Sequence, residues 1–231
     1  MGYDKQQARH EFTRWSESYD RSILQRLLFG PSHRAIVRRL QARWGERPVR
    51  LLDVGCGTGV CAERVLQALP GSTVVGVDLV AGMLAKGRDR WDRHRGSIAA
   101  VQGDSERLPF ADATFDAVTC ANSFHHYPQQ RNALAEFRRV LRPGGHLILI
   151  DGYRDRPWGW LVYDVCVAYV EGSVHHASAR EMRAMCGDAG FDAVDQTVHR
   201  GAAPFLLTEA AVDGPRPEVP AARSPLAEST R

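Results

Sequence analysis

The 231-residue sequence has no close CxxC pair among its five cysteines, Cys56, Cys61, Cys120, Cys166 and Cys186. An odd, scattered set argues against a disulfide framework and a zinc site, and a reducing compartment fits best. It has no secretory hydrophobic region at its polar start and no uninterrupted apolar run near the roughly 20 residues that span a bilayer. A cytoplasmic protein with no integral membrane association is the expectation. The charge excess is thin, with 30 basic against 27 acidic residues and a formal net charge of +3. The densest basic stretch, Lys86 to Arg95, is interrupted by Asp89 and Asp92, unlike the concentrated stripe of a nucleic-acid binder. There is no HExxH and no GK[ST], which removes the usual helical zinc-protease site and the phosphate-binding loop. No metal is expected.

What the sequence does have is a rhythm. Hydrophobic residues make up 44% of it, enough for one sizeable core. Short apolar runs at Val49 to Val54, Thr73 to Leu79, Ile98 to Gln102, Phe115 to Cys120 and His146 to Asp151 read as strands. Helical segments Val60 to Leu69, Ala81 to His94 and Gln129 to Leu141 separate them, and Pro143-Gly144-Gly145 reads as a turn. This alternation implies βαβ units and a parallel sheet with right-handed crossovers. Before the first strand, Phe12, Trp15, Tyr19 and Ile23 share a helical face. Gly30-Pro31 breaks that pattern, and Ser32 is placed to cap a second helix reaching Trp44. After Asp151 the rhythm changes. Trp158 to Val170 is apolar nearly all round, Ser178 with Glu181 matches a capping box, and Asp192 to His199 and Pro204 to Ala210 suit two closing strands. The expected organisation is a helical lid over 1–44, a core over 45–212 with a substrate-covering insertion around 152–180, and a disordered tail over 213–231.

The chemistry-bearing stretch is LLDVGCGTG, Leu51 to Gly59. A strand runs into Gly55, Gly57 and Gly59, and a helix follows. Glycines let the backbone turn tightly and approach a ligand, and the helix start points free N–H groups at it. The spacing is GxGxG, whereas the dinucleotide fingerprint is GxGxxG, and Val60 stands where that pattern wants its third glycine. Asp78 ends the second strand, where a carboxylate can accept hydrogen bonds from both hydroxyls of a ribose. Asp53 lies inside an apolar strand and needs partners to offset its desolvation. It either orients the loop or meets a ligand ammonium.

With VVGVDL at Val74, QGDSERLPF at Gln102, FDAVTCANSFHHYPQ at Phe115 and LRPGGHLIL at Leu141, the chain resembles class I S-adenosylmethionine-dependent methyltransferases. The likeness is to the small-molecule branch that includes ubiquinone and menaquinone biosynthesis enzymes, over about Ala8 to Phe191. It implies an α/β, Rossmann-like, doubly wound and mostly parallel seven-stranded sheet with an antiparallel last strand. The implied cofactor is S-adenosyl-L-methionine, leaving as S-adenosyl-L-homocysteine. Gly55, Gly57 and Gly59 would surround its methionine part, Asp78 would hold the ribose, Leu79 beside it would also contact the cofactor, and Met83 would flank the adenine. Asp104 and Ser105 would meet the adenine amino group. Asn122 would border the methionine moiety, and Tyr19 would contact the ligand from the lid.

Transfer from such a cofactor is an in-line displacement that mainly needs alignment and exclusion of water. His125 and His126 follow Asn122 at the C-terminal edge of the fourth strand, where ligands bind in such sheets. They are the candidate bases, one facing the pocket and the other packing or bonding to backbone. Trp158, Trp160, Tyr163 and Tyr169 are candidates to line an aromatic or apolar acceptor site, or to pack against the sheet or a second copy in a homodimer. Arg154 and Arg156 either receive an acceptor carboxylate or are solvated. The expected partner is a small molecule, quinone-like or a secondary metabolite, and not nucleic acid. The rivals are a cyclase on the same fold and a non-catalytic binding protein.

Overall fold

The computed structural model describes residues 23–167 and 174–214. Tyr19, Trp15, Tyr169 and the chain beyond residue 214 lie outside the described residues. Among those described, no helix is long and apolar enough to cross a membrane.

Seven strands form one sheet: β1 (Arg50–Val54), β2 (Thr73–Asp78), β3 (Ile98–Gln102), β4 (Phe115–Ala121), β5 (Leu141–Gly152), β6 (Ala193–His199) and β7 (Phe205–Ala211). Their order is β3-β2-β1-β4-β5-β7-β6. Pairings from β3 through β5 are parallel, and β7 runs antiparallel between β5 and β6. This is the doubly wound sheet with an antiparallel last strand. The chain winds outward one way through β2 and β3, then the other way from β4. The strand order therefore reverses between β1 and β4, the place where such sheets bind ligands.

Two layers of helix cover the sheet. On one face α1 (Ile23–Trp44) and α2 (Val60–Ala68) bury Ile36, Leu40 and Val65 against Leu51, Ile148 and Leu207. On the other, α5 (Gln130–Val140) and α7 (Ala179–Asp188) bury Leu134, Phe137, Met182 and Cys186 against Leu52, Val118, Leu147 and Leu149. The strands are thus buried on both sides, which is why they read as apolar runs rather than alternations.

Three local expectations are corrected. Gly30-Pro31 does not divide the first region: α1 runs through Pro31. Proline removes the donor that the Leu27 carbonyl would otherwise meet, and the Ser32 hydroxyl donates to the nearby Phe29 carbonyl at 2.8 Å. Ala81 to His94 is not one helix but two, α3 (Ala81–Lys86) and α4 (Arg88–Arg93), hinged at Gly87. A Cβ at Gly87 would stand 2.6 Å from the Thr58 carbonyl oxygen and 2.7 Å from Trp91 Nε1, so only glycine fits this approach. Pro143-Gly144-Gly145 is a bulge within β5, where the pairing jumps from Phe115↔Leu141 to Ala117↔His146.

The 152–180 region begins with α6 (Pro157–Trp160) and a π-helical segment, Leu161–Val167. The Ser178–Glu181 capping box is formed at the start of α7. The C-terminal half of α1 is core rather than cover, with Ile36 and Leu40 fully buried.

Candidate cofactor and acceptor site

The four parallel strand ends at the switch point open onto a cavity of about 600 Å³. Asp53, Gly55 and Gly57 line it from β1 and its loop, Asp78, Leu79 and Met83 from β2 and α3, Asp104 and Ser105 from the end of β3, and Asn122 and His126 from the end of β4. The loop is shaped by glycine: Gly55 and Gly57 have φ of 69° and 55°, in the left-handed region. The amides of Gly55 and Cys56 both donate to the Val77 carbonyl, at 2.8 and 3.1 Å, folding the loop back over β2. A Cβ on Gly55 would meet Ser123 Oγ at 2.2 Å.

Gly59 stands apart from Gly55 and Gly57. It does not line the cavity. Its missing Cβ would lie 1.9 Å from the Trp91 ring, and it starts α2 with φ of 80°. This glycine lets α4 close onto the loop instead of making room for a ligand. Ion pairs from Arg90 and Arg93 to Glu63, with His94 Nε2 3.0 Å from the same carboxylate, hold α4 there, and Arg90 also donates to the Thr58 carbonyl.

The two strand-end acids differ. Asp78 accepts from Gly57 N at 2.8 Å through one oxygen and from Val80 N at 2.9 Å through the other. It braces the loop while keeping lone pairs for a ligand. Burial raises its pKa, and those two amides oppose the rise. Asp53 accepts from the Thr119 hydroxyl at 2.7 Å through Oδ1, while its buried Oδ2 has no hydrogen-bond partner. Burial pushes its carboxyl up to about 7, Thr119 pulls it down and Asp78 adds to the rise. An unsatisfied buried carboxylate oxygen beside a cavity is a site for a cation. Asp104 accepts from Glu106 N at 3.0 Å and remains at the wall.

On the β4 side, Asn122 takes the left-handed conformation with φ of 54°. Its side-chain amide donates to Ser32 Oγ at 2.8 Å, tying α1 to the site. Phe29, Gly30 and His33 thereby become cavity wall. Ser32 and these neighbours carried no functional signal in the sequence, because their role depends on a contact 90 residues apart. Tyr127 and Ser123 also line the cavity and face each other at 3.1 Å, and burial pushes the Tyr127 phenol well up, so it stays protonated.

The two histidines divide. His126 lines the cavity. Burial lowers its pKa well below the usual imidazole value, with repulsion from His125 and His176 adding and Asp151 opposing. His125 is not on the cavity wall: it is 7% exposed, and its Nδ1 stands 2.5 Å from Asp151 Oδ1. It drops out as a group touching the reacting atoms.

Trp158 and Trp160 do not line the cavity and are 55% and 51% exposed. Arg154 is held by both oxygens of Asp164, at 3.0 and 2.6 Å, and so is not open to an acceptor carboxylate. Tyr163 packs on His176 with ring centroids 4.8 Å apart.

Residues 51–145 match the family model described as a methyltransferase domain. This segment is similar to class I S-adenosylmethionine-dependent methyltransferases. The demethylmenaquinone methyltransferase of Thermus thermophilus is 36% identical over 141 residues, covering 61% of this chain and 63% of that protein. The corresponding enzyme of Deinococcus radiodurans is 43% identical over 104 residues, covering 45% and 43%. The chain thus spans about half the length of the curated relatives it matches. Among solved structures, magnesium protoporphyrin IX methyltransferase from Synechocystis PCC 6803 with bound SAH aligns at a TM-score of 0.73 and 18% identity over 91% of this chain and all of that one. The [4+2]-cyclase SpnF aligns at 0.65 and 19%, over 78% of this chain and 80% of that one. These distant likenesses show the fold.

The residues of this methyltransferase domain fit its cofactor, S-adenosylmethionine. A cradle that a Cβ would fill lies at Gly55, and an unpartnered carboxylate oxygen at Asp53 suits a ligand cation. Asp78 suits hydroxyl donors, and Met83 approaches Gly57 as an apolar flank.

Proposed function

We propose that the chain transfers the methyl group of S-adenosylmethionine to a small, flat, quinone-like acceptor in its hydroquinone form. The single observation behind this reading is the cavity wall that carries strand-end acids on one side and His126 on the other. The names of the relatives supply the acceptor class.

S-adenosylmethionine supplies a methyl group already activated on a sulfonium. This chain's residues then do the following. Asp78 accepts from the ribose hydroxyls. Asp53 faces the ligand's positive charge, and Gly55 and Gly57 let the backbone approach. Asp104 and Ser105 hold the adenine end, and Asn122 separates donor from acceptor. His126, neutral at physiological pH because of its burial, takes the proton of the acceptor. The acceptor–methyl bond forms as the sulfur–methyl bond breaks, the electron pair stays on sulfur as a thioether, and the proton ends on His126.

Incubation with methyl-labelled cofactor and 1,4-naphthohydroquinone, kept reduced, tests this. Label appearing on the ring supports it. Binding of the cofactor with no label transfer to any hydroquinone would overturn the acceptor class, and product without label would favour the cyclase reading.

A further inference from the structure

Behind His126 lies a buried cluster that the proposed reaction does not use. Asp151, at the end of β5, is 5% exposed, and His176, just before α7, is 3% exposed. Asp151 Oδ1 takes His125 Nδ1 at 2.5 Å, has His176 Nδ1 at 3.4 Å and accepts from Gly152 N at 2.8 Å. The rings form a column: His126 to His125 at 4.0 Å between centroids, His125 to His176 at 4.2 Å, and His176 to Tyr163 at 4.8 Å. The column starts at the cavity wall and runs into the interior.

Two readings of the cluster compete. A metal ion would bring together the ligand atoms of His125, Asp151 and His176, which lie within 4.8 Å of one another. Yet ligands on bonds of about 2.0–2.1 Å with near-tetrahedral angles stand roughly 3 Å or more apart, and the His125–Asp151 contact is shorter. That contact is a short hydrogen bond, closer still than the roughly 2.7–2.9 Å of a charge-assisted N–H···O pair. It is a proton, not an ion, that links the pair.

The backbone shows that this cluster is also a fastening. His175 N donates to the His125 carbonyl at 2.9 Å. Gln130 Nε2 donates to the carbonyls of Phe124 and His175, at 3.1 and 2.8 Å. At Gly152 a Cβ would stand 2.7 Å from Tyr163 and 2.9 Å from His176 Nδ1, so the chain leaves β5 through a glycine that gives both rings their room. The β4 loop, the end of β5 and the segment entering α7 therefore converge on one carboxylate.

We propose that Asp151 is the positioning residue of the acceptor site, fixing the proton of His125 on Nδ1 and, with His176, setting the imidazole column against which His126 is held toward the donor. Its carboxylate is suited to this. Burial alone would raise it, and the facing His125 and His176 more than reverse that, holding it below the usual carboxylate range. An ionised carboxylate can only accept, so the proton of the short contact belongs to Nδ1. An aspartate behind a histidine fixes tautomer and orientation without itself taking the proton. His125, His176 and Asp151 are charged or titratable groups that act on His126. On taking the acceptor's proton, His126 becomes a cation opposite the Asp151 charge.

The idea rests on the methyl-transfer reading for its purpose but not for its test. In nitrogen-15 spectra of histidines in the full chain near neutral pH, wild type shows His125 protonated on Nδ1. Asp151→Asn, which keeps the shape and removes the charge, shifts that proton to Nε2 or spreads it over both nitrogens. It lowers kcat with the naphthohydroquinone probe about tenfold or more, in line with the loss of a residue that orients a functional imidazole. Its KM for S-adenosylmethionine and its affinity for S-adenosylhomocysteine stay within about twofold. His126→Gln lowers kcat but leaves the His125 tautomer as in wild type. An unmoved His125 tautomer in Asp151→Asn, or a kcat near wild type, overturns the proposal. If wild type transfers nothing to the probe, the acceptor class fails, and the tautomer alone decides the cluster.

Discussion

The two sides of the cavity are built differently. The cofactor side is backbone and carboxylate: a glycine loop pinned to Val77, an aspartate bonded to two loop amides, and a second aspartate held by Thr119. Its parts come from β1, β2 and β3, one after another along the chain. The acceptor side is side chain on side chain: Asn122 on Ser32, His126 on His125, and His125 on Asp151. Its parts come from α1, β4, β5 and the approach to α7. On the proposed reading, the cofactor is met by local backbone geometry and the acceptor by long-range packing.

Predictions that sharpen this contrast begin with Asp78. Asp78→Ala removes both the ribose acceptor and the brace on Gly57. It should weaken S-adenosylmethionine about 100-fold, from the loss of charged hydrogen bonds worth about 1.5–3 kcal/mol each. His126→Ala should leave binding within about threefold, since it removes an acceptor-side group. Titration calorimetry on both variants measures the difference, and equal losses would erase the division.

Next come the glycines. Gly55→Ala sets a Cβ on Ser123 and forces a left-handed φ on alanine, so it should abolish detectable cofactor binding or weaken it at least tenfold. Gly59→Ala meets Trp91 instead. It should lower the melting temperature by several degrees, from strain of about 1–3 kcal/mol. Its effect on affinity should be smaller than that of Gly55→Ala. Thermal melts paired with cofactor titrations would show the opposite ranking if Gly59 were the ligand contact.

Asp53 gives a pH signature. Its carboxyl titrates near 7 in the free protein, raised above its unfolded value of 3.8. A raised acid loses stability as pH climbs from the unfolded toward the folded pKa, because the ionised form must be buried. A bound cation reverses that penalty, so affinity for S-adenosylmethionine should be flat above about pH 7 and fall up to tenfold per unit below it. Asp53→Asn should remove this dependence and raise the melting temperature of the free protein. A wild-type affinity independent of pH between 5.5 and 7 would contradict the role. The smallest effect belongs to Trp158→Ala. Trp158 is more than half exposed, and its indole Nε1 donates to the Ala202 carbonyl. Stability should change by about 1 kcal/mol or less, and cofactor affinity not at all.

The same contrast explains what the sequence disclosed. The strand ends were legible because buried parallel strands are apolar runs, and because Gly55, Gly57, Asp78 and Asp104 sit within a few residues of them. Gly59 belonged to the same short pattern yet serves Trp91, since a motif records where glycine is required and not what occupies the space. The continuity of α1 through Pro31 was hidden because Gly30-Pro31 carries the local signal of a break, whereas the helix is held by packing of Ile36 and Leu40 on the sheet. Asp151 read only as the end of a strand. Its partners His125 and His176 lie 26 and 25 residues away in opposite directions, and only folding brings them to one carboxylate. Trp158 and Trp160 misled because an all-apolar segment promised a covered surface, and the structure exposes both.

The most direct test of the central claim is a crystal structure of the full chain with S-adenosylhomocysteine. The ribose hydroxyls should lie on Asp78, the ligand's ammonium toward Asp53, the adenine against Met83 and Asp104, and the sulfur facing His126. Ligand bound with its ribose away from Asp78, or a loop from Gly55 to Gly57 that makes no contact with it, would contradict the account.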